Sequence, residues 1–188
     1  MENTVKMMLA GLKFNGSEIS EIGKDKKYTT TAVYLISFSV LIDVVMAFFN
    51  GLGGSSGLAG LELSNVGAAL AQLGSGLIGT FLSAYIMVFV LRIFKVETTF
   101  DTILRIYGSA VIWTILGSVI GIIFSETIGV IAMVGGIFCW LAYNFAVLFG
   151  LTNFTALVMW KSFLSIVLTF AGVFVVIIAY GQMVKLFA

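Results

Sequence analysis

The chain of 188 residues contains no histidine, no proline and a single cysteine, and only 10% of its residues are charged. Without histidine and without clustered cysteines, the usual zinc sites are excluded. Cys139 alone cannot form an intrachain disulfide, so cysteine usage leaves the redox compartment open. The absence of proline favours unbroken helices and argues against transporters that are built from interrupted helices around a central ion site.

Catalytic groups are equally scarce. Intramembrane proteases and acyl- or phosphotransferases need a nucleophile with a base, paired acids or a metal. The chain offers one cysteine and one acid deep within an apolar run, Asp43. The glycine-rich segment at 51–72 lacks the spacing of a phosphate-binding loop. We therefore expect a protein that is not an enzyme, with no cofactor, no metal and no nucleic-acid partner.

Long apolar runs dominate what is present. Hydrophobic residues make up 60% of the chain, and the mean hydropathy is +1.13. A membrane span needs about 20 mostly apolar residues to cross roughly 30 Å of hydrocarbon. Runs of suitable length occupy residues 31–50, 73–94, 107–124, 128–151 and 162–184. The sequence therefore predicts an all-α polytopic membrane protein with five transmembrane helices.

The segment 1–30, ahead of the first run, is amphipathic. Its apolar residues recur at helical spacing on both sides of a turn-like stretch: Val5, Met8, Leu9, Leu12, Ile19 and Ile22. We expect 1–30 to be a cytoplasmic segment, either a short interfacial helix lying on the membrane or a helix docked on the ends of the bundle. Residues 31–188 then form one membrane domain, since the loops are too short for another globular unit.

Basic residues predict the orientation of the spans. Nine of the ten Lys and Arg fall on one side of the five-span arrangement: Lys6, Lys13, Lys24, Lys26, Lys27, Arg92, Lys95, Arg105 and Lys161. Only Lys185 falls on the other side. Because basic residues accumulate in cytoplasmic loops, the expected protein is multi-pass in the lipid bilayer, with a cytoplasmic N-terminus and an outer C-terminus.

One acidic residue lies more than half-way along the first predicted span. Asp43 follows Ser39 by one helical turn and precedes Asn50 by two. Matching depths across five spans puts Asp43 level with Thr114 and Ser118, and an ionisable residue inside the membrane is by default a candidate functional site. One interpretation is a neutral carboxyl group that hydrogen-bonds Thr114, Ser118 or a backbone group. The other is a carboxylate open to water or a cation, as in a small channel or an ion- or proton-coupled transporter.

Small residues recur at spacings that let helix backbones approach closely. They are Ser75, Gly79 and Ser83 in the second span, Gly117 and Gly121 in the third, and Ala132 and Gly136 in the fourth. Such stripes are typical of packing seams within a membrane bundle, and a homodimer face is the alternative. The tryptophans inside spans, Trp113 and Trp140, are expected to pack rather than to bind.

The connection between the second and third spans carries a family resemblance. The segment LRIFKVETTFDTILRIYGSAVIWTILG resembles the Yip-domain family, the Rab/Ypt-interacting integral membrane proteins. In that family a span ends, a short polar loop carries a Phe, and an Arg–hydrophobic–Tyr–Gly stretch opens the next span. Here these positions are Phe100, Arg105, Ile106, Tyr107 and Gly108. The later run LFGLTNFTALVMWKSFLSIVL is similar to the family's loop before the last span.

The resemblance implies a five-span bundle that acts in membrane organisation, in trafficking-like roles or as a partner of other membrane proteins, including itself. The chain departs from the family in that GSAVIWTIL has no proline and the acidic-Leu-Tyr-Gly-Pro motif of the eukaryotic members is missing. We therefore expect a prokaryotic-type member in a plasma membrane. An accessory subunit of a larger membrane complex is the alternative.

Four residues of that connection form a candidate cytoplasmic contact patch: Phe100, Asp101, Arg105 and Tyr107. Asp101 and Arg105 have the spacing of a helical ion pair, which contributes about 0.2–0.5 kcal/mol when exposed. We expect the patch either to dock a partner or to be an ordinary solvated surface.

Overall fold

The structure is a computed structural model that describes residues 2–50, 65–124 and 129–187, without the side chains of 47–50, 65–68, 71 and 177–187. Within these ranges the chain is helical and has no strand. The helices are α1 (Glu2–Leu12), α2 (Gly16–Lys24), α3 (Thr29–Asn50), α4 (Asn65–Ile93), α5 (Phe100–Ala110), α6 (Ile112–Phe124), α7 (Gly129–Thr155) and α8 (Met159–Phe187), and a 3-10 turn at Lys26–Tyr28 joins α2 to α3. The predicted all-α fold is confirmed over this part of the chain.

Among the described residues, four helical stretches are long and apolar enough to cross a membrane: Lys26–Met46, Gln72–Ile93, Gly129–Thr155 and Met159–Val176. The pair α5–α6 makes a fifth if it is one span, and it is bent by 40° at Val111. The absence of proline led us to expect an unbroken third span, and this expectation is wrong because the helix is interrupted between α5 and α6. The two halves have different neighbours, since α5 is surrounded by five other helices whereas α6 packs mainly on α7.

Helix α5 is the centre of one end of the bundle. Every residue in the range 102–110 is buried, and α1, α2, α3, α4 and α7 all contact this helix. Its N-terminus is capped by Thr99, whose side chain accepts a hydrogen bond from the Thr102 N–H. At Gly108 an added Cβ would lie 2.8 Å from the Cα of Ala32. Glycine is therefore required for α5 and α3 to pack this closely.

Helices α1 and α2, residues 2–24, form an N-terminal hairpin that packs on the end of the bundle. Its apolar side chains Met7, Ala10, Ile19 and Ile22 are fully buried, with α1 against α5 and α2 against α5 and α7. Of the two arrangements that the amphipathic pattern allows, the structure therefore has the docked one. Val5 and Leu9, which belong to the same amphipathic pattern, remain exposed, so docking covers only part of the apolar surface, and the position of the hairpin relative to a lipid bilayer stays a prediction.

Glycines bring the hairpin unusually close to the helices beneath it. A methyl group at Gly11 would overlap the backbone carbonyl oxygen of Ser109. A methyl group at Gly16 would lie 2.7 Å from the carbonyl oxygen of Phe149. Backbone atoms cannot move aside as a side chain can, so these positions tolerate no Cβ without a shift of the hairpin.

The predicted small-residue seams are in contact over only part of their length. An added Cβ on Gly117 would lie 3.2 Å from the Cβ of Cys139, so this position does pack. Three predicted positions instead border open space: Gly79, Gly121 and Gly136. The close approach of α3 and α4 occurs at Gly76, where an added Cβ would lie 2.8 Å from Val40. Spacing alone does not identify the face of a helix that meets its neighbour.

Candidate functional site

A half-open cavity of about 490 Å³ is lined by residues from α3 to α8. Apart from the tyrosine hydroxyls, its hydroxyl and carboxyl groups come from Ser39, Asp43, Thr80, Thr114 and Ser118. Its aromatic side chains are Tyr107, Trp113, Trp140, Tyr143 and Phe170. We call it the Asp43 cavity, and its volume lies in the range of about 300–1,000 Å³ that is usual for small-molecule sites.

The structure brings the four predicted intramembrane residues to this one cavity. Ser118 Oγ lies 2.6 Å from Asp43 Oδ1, which links α6 to α3 by a hydrogen bond. Thr114 lies one turn before Ser118 and lines the same space, and Ser39 is buried beside it. The depth match between Asp43 and Ser118 is therefore confirmed as geometry. The side chain of Asn50 lies outside the described residues.

The Ser118 hydroxyl has two acceptors for its single proton. Its Oγ lies 2.6 Å from Asp43 Oδ1 and 3.1 Å from the backbone oxygen of Thr114. An ionised Asp43 accepts the hydroxyl proton. A protonated Asp43 instead donates to Ser118 Oγ, and Ser118 then donates to the Thr114 carbonyl. The arrangement thus accommodates both protonation states of the carboxyl group.

Asp43 is the one charged residue among the described residues that line the cavity. No Lys or Arg side chain reaches its walls there. A carboxylate that is withdrawn from bulk water without a protein cation requires a proton, local water or a bound cation. The cavity is therefore electrostatically suited to positive charge and unsuited to an anion.

Aromatic rings form two pairs along the cavity wall. The ring centroids of Tyr107 and Tyr143 lie 6.3 Å apart, and those of Trp140 and Phe170 lie 6.2 Å apart. The role of Trp140 differs from the pure packing expected of it, because it also lines the cavity. Sequence reasoning missed this, since a tryptophan within an apolar run carries no signal of the direction in which it points.

The fifth aromatic residue ties the cavity to the N-terminal hairpin. Trp113 Nε1 donates a hydrogen bond of 3.0 Å to the carbonyl oxygen of Gly11. The same indole stacks on Phe14, with ring centroids 5.2 Å apart. Displacement of the hairpin therefore removes support from one wall of the cavity.

The predicted contact patch is divided between surface and core. Asp101 is exposed, and the ring of Phe100 is partly covered by Phe81, with centroids 6.0 Å apart. Arg105 is only 3% exposed and Tyr107 only 5% exposed. The expectation that these two residues belong to a surface patch was therefore wrong, because α5 is enclosed by its neighbouring helices.

Arg105 is instead a buried clamp between the N-terminal hairpin and the bundle. Its Nε and Nη2 donate hydrogen bonds of 2.9 and 2.8 Å to the carbonyl oxygen of Gly23. Its Nη1 donates a bond of 2.6 Å to Thr29 Oγ1, and Nη2 donates a second bond of 3.1 Å to Thr102 Oγ1. The Gly23 carbonyl lies in the last turn of α2, where it lacks an intrahelical donor and where positive charge is favourable.

The predicted ion pair between Asp101 and Arg105 does not form. Over the part of the chain that the structure describes, the one ion pair joins Lys27 Nζ and Asp25 Oδ2 at 3.0 Å. Asp25 Oδ1 also accepts a hydrogen bond of 3.0 Å from the backbone N–H of Lys27. That backbone hydrogen bond and the Lys27 ammonium group lower the pKa of Asp25. The pair closes the short link from α2 to α3.

A polar groove of about 600 Å³ lies beside the connection from α4 to α5. Its lining residues are Arg92, Glu97, Thr98, Thr99, Thr102 and Phe154. Arg92 and Glu97 are exposed, whereas the buried Thr98 Oγ1 has no hydrogen-bond partner among the described residues. We call this feature the α4–α5 groove. It combines two opposite exposed charges with an unpaired hydroxyl group.

The chain was compared with protein-family models, with curated proteins and with solved structures. No family model, no curated protein and no solved structure matches the chain. The Yip-domain resemblance therefore depends on the short segments quoted above. The structure by itself establishes a helical bundle with helices long and apolar enough to span a membrane.

Proposed function

We propose that this protein is a non-enzymatic integral membrane protein that docks another membrane protein at the α4–α5 groove. Its role is membrane organisation of the kind that the Yip-domain resemblance implies. The observation that carries the proposal is the groove itself, in which the oppositely charged side chains of Arg92 and Glu97 are exposed. A partner that supplies charges complementary to Arg92 and Glu97 completes these interactions.

The N-terminal hairpin supports a role at the membrane surface. Part of its apolar face is buried in the bundle, and the basic residues of segment 1–30 are all exposed: Lys6, Lys13, Lys24, Lys26 and Lys27. A basic residue near an anionic leaflet contributes about 1 kcal/mol of attraction. We infer that the hairpin presents its lysines to lipid headgroups on the cytoplasmic side while its core contacts hold the groove in place.

Exchange of the two groove charges tests the docking proposal. The double variant Arg92→Glu with Glu97→Lys keeps the net charge but inverts the charge pattern of the groove. Tagged protein is captured from native lipid particles, and co-purifying proteins are quantified by mass spectrometry. Since reversed charges next to a complementary surface cost several kcal/mol, we expect the amount of a stoichiometric partner to fall by about tenfold or more.

The matched control is Glu2→Lys with Lys6→Glu, which exchanges two exposed charges of α1 outside the groove. We expect this control and Asp43→Asn to retain the partner. Retention of every partner by the groove variant, or equal loss in the α1 control, would contradict the proposal. A partner in fixed ratio that survives harsh detergent would favour the accessory-subunit alternative.

A second candidate function is a small channel or an ion- or proton-coupled transporter. The observation that favours it is the Asp43 cavity, in which Ser118 hydrogen-bonds the one charged residue among the described lining residues. For this function, cation or proton flux into reconstituted vesicles is expected in the wild type and is abolished in Asp43→Asn. Flux that is unchanged in Asp43→Asn would remove this candidate.

A further inference from the structure

We propose that the Asp43 cavity binds a lipophilic organic cation, which lies between the Asp43 carboxylate and the aromatic rings of the wall. The proposal concerns binding, and it holds whether or not the ligand crosses the membrane. It is independent of docking at the α4–α5 groove, which lies at other residues.

The sign of the ligand charge follows from the lining residues. Asp43 is the sole formal charge among the described residues of the wall. Its partner Ser118 is a neutral hydroxyl group at 2.6 Å. An anionic ligand would meet a carboxylate and no basic side chain among the described lining residues, whereas a cation supplies the countercharge that these residues do not provide.

The aromatic wall specifies an organic cation rather than a bare metal ion. Calcium and magnesium prefer six or more oxygen ligands, with several carboxylates or carbonyls among them, whereas the described cavity wall carries one carboxyl group, neutral hydroxyl groups and two ring pairs. A cation over an aromatic face gains about 0.5–2 kcal/mol, and quaternary ammonium groups are recognised in this way. The cation–π contacts within the described chain lie elsewhere, at Tyr28 and Trp160.

The size of the cavity fits a ligand of drug-like dimensions. Its volume of about 490 Å³ exceeds by far the roughly 30 Å³ that one water molecule occupies. At Gly136, on the wall, an added Cβ would meet no atom within 4 Å. The space beside Gly136 can therefore be filled by a larger side chain without disturbing the backbone.

The probe is tetraphenylphosphonium, and its control is tetraphenylborate, which has the same shape and the opposite charge. Binding to the full-length protein is measured by equilibrium dialysis in detergent micelles, with empty micelles subtracted. We expect saturable binding of one phosphonium cation by the wild type and no saturable binding of the borate. Saturable borate binding of equal affinity would show an apolar site only and would overturn the proposal.

Two pairs of variants locate the site. Asp43→Asn is expected to weaken phosphonium binding by about tenfold or more, whereas Asp101→Asn, which removes an exposed acid outside the cavity, leaves it unchanged. Gly136→Leu fills the cavity and is expected to weaken binding to the same extent. Gly121→Leu also enters open space but does not line the cavity, so it leaves binding unchanged.

Asp43→Glu is the control for a simple folding defect, because glutamate retains a carboxylate at this position. We expect its dissociation constant for the phosphonium cation to lie within about threefold of the wild-type value. Should Asp43→Asn fail to fold, the comparison of Gly136→Leu with Gly121→Leu decides the question. The proposal is overturned if folded wild type shows no saturable phosphonium binding. It is equally overturned if the folded cavity variants bind as tightly as their controls.

Discussion

Replacement of Arg105 by methionine is expected to lower the stability of the whole bundle by about 3 kcal/mol. The methionine side chain retains most of the apolar packing, but the Gly23 carbonyl loses both of its donors and Thr29 Oγ1 loses one. A hydrogen bond from a charged group contributes about 1.5–3 kcal/mol, and a buried acceptor left unpaired costs about 1–3 kcal/mol. For a chain of this length, the melting temperature is expected to fall by roughly 6–12 °C.

Arg105→Lys and Arg92→Met are the informative comparisons. Lysine keeps the charge but lacks the planar fork that reaches Gly23 and Thr29 together, so its loss of stability is expected to be intermediate. Arg92 is exposed, and its replacement is expected to change stability by less than about 0.5 kcal/mol. In thermal unfolding in detergent, we expect the melting temperature to decrease from the wild type to Arg105→Lys and again to Arg105→Met. Identical melting of Arg105→Met and Arg92→Met would show that the clamp does not stabilise the fold.

Alanine in place of Gly11 is expected to detach the N-terminal hairpin. The new methyl group overlaps the carbonyl oxygen of Ser109, and neither backbone can yield without loss of the hydrogen bond from Trp113 Nε1. Forcing extra atoms into a packed site costs about 1–3 kcal/mol, and the lost hydrogen bond adds about 1 kcal/mol. A red shift of tryptophan emission together with a lower melting temperature is the expected signature.

The matched control is Gly79→Ala, in which the same methyl group enters open space within α4. Alanine is the better helix former by about 0.5–1 kcal/mol. We therefore expect Gly11→Ala to lower the melting temperature and Gly79→Ala to raise it. A Gly11→Ala protein that melts at or above the wild-type temperature, with unshifted emission, would contradict the close packing of α1 on α5.

The helices could be predicted from the sequence because the bilayer demands uninterrupted apolar length. The run at 31–50 is α3 (Thr29–Asn50), and the run at 162–184 lies within α8 (Met159–Phe187). The equal depth of Asp43, Thr114 and Ser118 was also predictable, since residues at equal depth in adjacent spans are natural neighbours, but the choice of Ser118 as the hydrogen-bond partner was not. Depth requires only a count along each helix and no knowledge of which face it presents.

The burial of Arg105 could not be predicted, because it depends on a partner 82 residues away in the chain. An arginine beside a polar loop is ordinarily a surface residue. It is enclosed here because the amphipathic hairpin brings the last turn of α2 over α5. The aromatic pairs of the cavity could not be predicted either. In a helix that is apolar on all sides, the sequence pattern does not indicate which face meets the neighbouring helices.

Because the hairpin is part of the packed core, its deletion cannot be used to test for a docking contact. Removal of residues 2–22 deletes the fully buried side chains of Met7, Ala10 and Ile19 and most of the α2 helix that Arg105 caps. Loss of a partner after such a deletion would report unfolding rather than a missing contact. Exchanges of exposed charges avoid this difficulty because they leave the core intact.

The most direct test of docking at the α4–α5 groove is photocrosslinking in the native membrane. Glu97→p-benzoylphenylalanine places the reactive group at the groove, and Glu2→p-benzoylphenylalanine places it on the exposed face of α1. We expect illumination to give one discrete protein adduct at position 97 that is absent at position 2. The absence of any adduct at position 97, or the same adducts at both positions, would contradict docking of a membrane partner at this groove.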